Sequence, residues 1–165
     1  MRTRAETGPT GTASTASTGT AGVEEREALA TTLAAEHAAV WLYGLLGARV
    51  SASAEPVLHA ALVAAYGAHR GRRDLLVALV RDDGDEPVAA APSYVEPGPL
   101  DDAAQVRAAA QDAEAASAVT WGVLVASTSG ERRRTALAGL RDAAVRHVGF
   151  GGAPSTTGEG PAAPA

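Results

Sequence analysis

The chain has 165 residues, a formal net charge of −5, 46% hydrophobic residues and only 4% aromatic ones. That length holds one domain with a segment to spare at each end. The acidic balance argues against a nucleic-acid partner, and the lack of cysteine excludes disulfides, thiolate metal sites and cysteine catalysis.

No apolar run approaches membrane-spanning length, and the first residues lack the apolar stretch of a signal peptide. The expectation is a cytoplasmic protein with no membrane partner. All fourteen basic residues are arginine, so an arginine cluster carries less meaning here than elsewhere.

Residues 1–22 are a Gly, Thr, Ser and Ala run without apolar bulk and are expected to be a disordered tail. A first helix is predicted from Glu24 to Arg49, with Leu29, Leu33, Glu36, Val40 and Tyr43 along one stripe. His37, Trp41 and Leu45 form a second stripe beside it. A helix that is apolar on two faces is covered on both. That suggests a homodimer through this helix; the alternative is cover by another part of the same chain.

After a short Ser-Ala-Ser loop, a second helix is predicted from Glu55 to Arg81, with Pro56 in its first turn. Its stripe is Leu58, Leu62, Tyr66, His69, Arg73, Leu76 and Val80. A Pro-rich segment, 82–100, follows. Extended at about 3.1 Å per residue, it covers more than about 50 Å. A 26-residue helix is only about 39 Å long, so this segment can cross the whole molecule.

A third helix is predicted from Asp101 to Ala126, with stripe Ala110, Glu114, Ala118, Trp121 and Val125. The fourth runs from Glu131 to Val148, with stripe Leu137, Leu140, Ala144 and His147, and stops at Gly149. Residues 150–165, rich in Gly, Pro and Thr, are expected to be a second disordered tail, leaving 23–149 as the bundle. The prediction is therefore all-α: four helices in two hairpins, joined by a long crossover that makes the second and third parallel.

Each predicted helix carries one metal-ligand-type side chain in its apolar stripe: Glu36, His69, Glu114 and His147. Charged groups are rarely buried without a partner or a metal. Each lies about 15–17 residues from its hairpin turn, which at about 1.5 Å per residue places all four near mid-height.

Three segments carry a family likeness: Ala-Glu-His-Ala-Ala-Val-Trp-Leu-Tyr-Gly (35–44), Ala-Tyr-Gly-Ala-His-Arg-Gly-Arg-Arg-Asp (65–74) and Pro-Val-Ala-Ala-Ala-Pro-Ser-Tyr (87–94). On these the chain resembles the ferritin-like superfamily. More closely it resembles an actinobacterial ferritin-like family catalogued as a domain of unknown function. The resemblance implies a ferritin-like four-helix bundle. The superfamily's two-metal pattern places a Glu on helices 1 and 3 and a Glu-x-x-His on helices 2 and 4. Here those pairs read Tyr66-x-x-His69 and Ala144-x-x-His147, so both of their glutamates are missing.

Two functional readings remain open. In one, the protein is a non-enzymatic bundle without cofactor, its ancestral metal site degenerated into a buried network that includes Tyr66, Arg73 and Asp74. In the other, Glu36, His69, Glu114 and His147 hold a single iron, zinc or manganese ion. No nucleophile triad, Gly-x-Ser-x-Gly element or phosphate-binding loop is present, so no catalytic residue is assigned.

Overall fold

The computed structural model describes residues 13–154. The expectations for 1–12 and 155–165 lie outside the described residues. Four helices form: α1 Ala13–Arg49, α2 Pro56–Asp82, α3 Ala103–Ser127 and α4 Gly130–Gly149. No strand occurs among the described residues. None of their helices is long and apolar enough to cross a membrane.

Two expectations about the ends are corrected. The tail expected through residue 22 is helical from Ala13. Extending a helix that is already nucleated adds one hydrogen bond per residue fixed, so even a Thr- and Ser-rich run can continue it. None of residues 19–27 is buried, so those turns add no core. At the other end Phe150, assigned to a tail, is only 3% exposed and belongs to the core. The chain closes over it through Phe150 N–H to Arg146 O (2.9 Å) and Gly151 N–H to Val148 O (2.9 Å). Gly151 takes a φ of 97°, open to glycine at little cost.

Local chemistry sets the other boundaries. Pro56 opens α2, where a missing N–H costs nothing. Asp102 caps α3, its Oδ1 accepting from Ala104 N (2.9 Å) and Gln105 N (2.9 Å). Gly84, with a φ of 80°, ends α2 by donating to Arg81 O.

The contacts define the topology. Leu33 shares a cluster with Leu76, and Leu46 with Leu62, so α1 and α2 are antiparallel. Tyr43 meets Ala110 and Glu36 meets Trp121, so α1 and α3 are antiparallel as well. Helices α2 and α3 are therefore parallel, as the long crossover requires. Gln111 meets Phe150 and Val125 meets Arg133, so α4 runs back along α3.

The crossover lies along α1. Asp85 pairs with Arg26 (3.4 Å), Val88 O accepts from His37 Nε2 (3.2 Å), the Tyr94 ring lies tilted against Trp41 (5.4 Å between centroids) and Glu96 accepts from Arg49 (2.7 Å). From Arg26 to Arg49 a helix rises about 34 Å. From Asp85 to Glu96 an extended chain at about 3.1 Å per residue also rises about 34 Å. The segment runs parallel to α1 in step with it, and it covers the second stripe of that helix. Leu45 packs against the core beside it.

Candidate functional site

The buried apolar residues fall into two groups. One, around Tyr43, Leu46, Leu58, Leu62, Val106 and Phe150, fills the end of the bundle nearest the α1–α2 turn. The other, around Leu29, Leu33, Leu76, Trp121 and Leu124, fills the opposite end. Between them lies a polar layer centred on Glu36, His69 and Glu114, each at most 1% exposed.

His69 is the hub. Its Nδ1 lies 2.7 Å from Glu36 Oε2 and its Nε2 lies 3.1 Å from Glu114 Oε1. A neutral imidazole has only one N–H, so donating to two carboxylates requires the imidazolium. The electrostatics agree. Burial alone would lower the His69 pKa, but hydrogen bonds and charge from Glu114 and Glu36 outweigh it and hold the pKa above its ordinary value. Burial would likewise raise the pKa of Glu114, yet His69 and Arg146 hold it below the usual range.

The carboxylates are held from several helices. Glu36 Oε1 accepts from the indole Nε1 of Trp121 (2.7 Å) and, at the long distance of 3.4 Å, from Ser117 Oγ. Glu114 Oε1 accepts from Tyr43 OH (2.8 Å) and Arg146 Nε (2.8 Å). Burial, then the Glu114 charge, drives the Tyr43 phenol pKa strongly upward, so Tyr43 stays protonated and donates to Glu114. The Tyr43 ring also stacks on His69, with centroids 5.0 Å apart. Arg72 completes the layer, donating from Nη2 to Gly139 O (3.2 Å), 3.4 Å from Asp142 Oδ2 and 5.7 Å from the Trp121 ring.

The structure brings together three of the four predicted residues and replaces the fourth. His147 does not reach the layer; its Nδ1 donates to Gln111 O at 3.0 Å. Its neighbour Arg146 takes the α4 position. The cause is the rotation of α4. It buries Ala136, Gly139 and Ala143, and Leu137 of the predicted stripe stays 47% exposed.

The network partners also shift. Arg73 pairs with Asp74 at the surface (2.6 Å), and Arg72 is the inward arginine. Tyr66 stacks under Arg70, 5.7 Å from its ring, while Tyr43 supplies the buried phenol. Sequence reasoning missed Arg72, Arg146, Tyr43 and Trp121 as members of the layer. Arg72 and Arg146 adjoin predicted positions, and Tyr43 and Trp121 stand in the predicted stripes. For Tyr43 and Trp121 the available signal was a hydrogen-bonding aromatic two helical turns along the stripe from Glu36 and Glu114; the two arginines share no helix with either glutamate.

As the side chains stand, the donors of the layer are turned on one another. A metal-bound imidazole offers a lone pair from one nitrogen, and both nitrogens of His69 are engaged with carboxylates. The cations Arg72 and Arg146 stand in the layer, and among the described residues Glu114 Oε2 is its one buried carboxylate oxygen without a hydrogen bond. No group of three or more His, Asp or Glu side chains among the described residues has the geometry to hold an ion.

An all-α bundle with a crossover beside α1 and an ionic layer at mid-height is the class of protein that these features define. The chain belongs to the family described as a domain of unknown function, DUF4439, whose sequence model matches residues 28–163. It is similar to the crystal structure of a conserved hypothetical protein, rv2844, from Mycobacterium tuberculosis. The identity is 27% and the TM-score 0.72, over 78% of this chain and 96% of that one. No curated protein matches the sequence.

Proposed function

We propose that this protein is a non-enzymatic member of the ferritin-like superfamily, in which a protein-only ionic layer replaces the metal centre. The antiparallel α1–α2 and α3–α4 hairpins and the crossover between parallel helices support the superfamily placement. Glu36, His69 and Glu114 stand on the helices where that pattern carries ligands. The observation that carries the reading is the double engagement of His69 by Glu36 and Glu114, with Arg146 on the second carboxylate. The layer pairs its charges through side chains from all four helices, with Glu114 Oε2, Arg72 Nη1 and Arg146 Nη2 left without a hydrogen bond. Its work is to lock their register, and the role of the whole is structural or interaction-mediating.

Elemental analysis after anaerobic iron loading tests the proposal. The expected result is well under one metal per chain and no ferrous oxidation above a blank. Two tightly held irons per chain would overturn it. One metal per chain, lost in His69→Ala and retained in His147→Ala, would establish a single-metal site on Glu36, His69 and Glu114.

A further inference from the structure

A second feature lies beneath the crossover, on the opposite side of α1 and α3 from His69's ring system. Alanines dominate the facing surfaces of α1 and α3 here, among them Ala38, Ala113 and Ala116, and short side chains leave the two helices unfilled between them. The crossover bridges this gap without plugging it: the Tyr94 ring lies tilted against Trp41, centroids 5.4 Å apart, and the two rings line one wall. The result is a cavity of about 280 Å³, half open to solvent. Ligand pockets in proteins start at about this size.

Apart from the two rings, one polar side chain lines the cavity: Ser117, which is 4% exposed. Among the described residues its hydroxyl makes a single hydrogen bond, the 3.4 Å contact with Glu36 Oε1, an oxygen already held at 2.7 Å by Trp121. An O–H donor normally sits within about 3.0 Å of its acceptor, so this hydroxyl is underused where it stands. An apolar, aromatic-walled cavity with one underused hydroxyl selects a recognisable chemistry.

We infer that this cavity binds a small, planar, largely apolar molecule carrying a single hydrogen-bonding group, its ring against Trp41 and Tyr94 and its polar atom on Ser117. The volume is too small for a peptide, and the lining offers nothing to a charged group. The inference is independent of the metal question, since only Ser117 touches both sites.

Calorimetric titration of the full-length protein with 2-naphthol tests it. The expected result is saturable binding of one molecule per chain. Ala113→Leu fills the cavity and should weaken binding at least tenfold. Should that variant not fold, Ala116→Leu, at an exposed position one turn further along α3, does the same. Ser117→Ala should weaken 2-naphthol about fivefold, the loss of one hydrogen bond, and leave 2-methylnaphthalene unaffected. Absence of saturable binding, or equal affinity in the wild type and both leucine variants, would overturn the proposal.

Discussion

Gly139 of α4 lies against the indole of Trp121 on α3 with no room for a methyl group. A Cβ built on Gly139 would come within 3.0 Å of three ring atoms, closer than real contacts allow. The indole in turn is fixed by its bond to Glu36 and by Arg72 over its face. This contact explains why α4 buries its small residues and turns Leu137 outward.

Gly139→Ala should therefore destabilise by about 1–3 kcal/mol, the usual cost of overpacking a core whose neighbours cannot move. Gly71→Ala is the control. It is an exposed helical glycine with open space around it, and it should stabilise by about 0.5–1 kcal/mol through propensity. Thermal melts of both variants check the pair. Equal effects would mean that the indole can shift.

Glu36→Ala strands His69 and the Trp121 N–H in the interior. Removing one partner of a buried pair costs about 3–5 kcal/mol. Glu36→Gln should cost less, because its carbonyl still accepts from Trp121. Urea unfolding of the two variants measures the difference, and a Gln variant as unstable as the Ala one would contradict it.

Stability should depend on pH through His69 and Glu114 in opposite directions. The His69 pKa is raised in the folded state, so its contribution is complete below the unfolded value near 6.5 and is lost as pH rises through the folded one. The Glu114 pKa is depressed, so its contribution is present above the unfolded value near 4.5 and is lost as pH falls through the folded one. Urea unfolding of wild type and His69→Gln between about pH 5 and 9 should show a stability gap that narrows as the solution becomes alkaline. A gap that widens would show that the native imidazole is neutral.

Trp41→Glu should loosen the crossover by removing the ring beneath Tyr94. The expected outcome is a lower melting temperature and faster proteolysis near Tyr94, with an unchanged elution volume in size-exclusion chromatography. A wild-type dimer split by the substitution would instead place a second copy on the stripe of His37, Trp41 and Leu45.

Phe150→Ala should cost about 3–5 kcal/mol, as for other buried aromatic residues. Its ring lies 6.1 Å from that of Tyr43, so the cavity would open directly under the ionic layer. Differential scanning calorimetry reads the loss; a change below about 1 kcal/mol would mean that Phe150 belongs to the tail after all.

Hydrophobic periodicity, two tight turns and one Pro-rich stretch were enough to determine four helices, their hairpins and the crossover, because these depend on local spacing and chain reach. Glu36, His69 and Glu114 were legible for the same reason: a charge inside an apolar stripe is rarely tolerated unless something in the interior answers it. Which neighbours complete the layer was not legible. Arg72 and Arg73 lie about 60° and 40° either side of His69 on a helix, so both fit the same stripe. Arg146 and His147 differ by one residue, about 100° of rotation. Local pattern cannot choose between such positions. Only packing chose, once Trp121 had filled the space beside α4 and left room there for Gly139 and nothing larger.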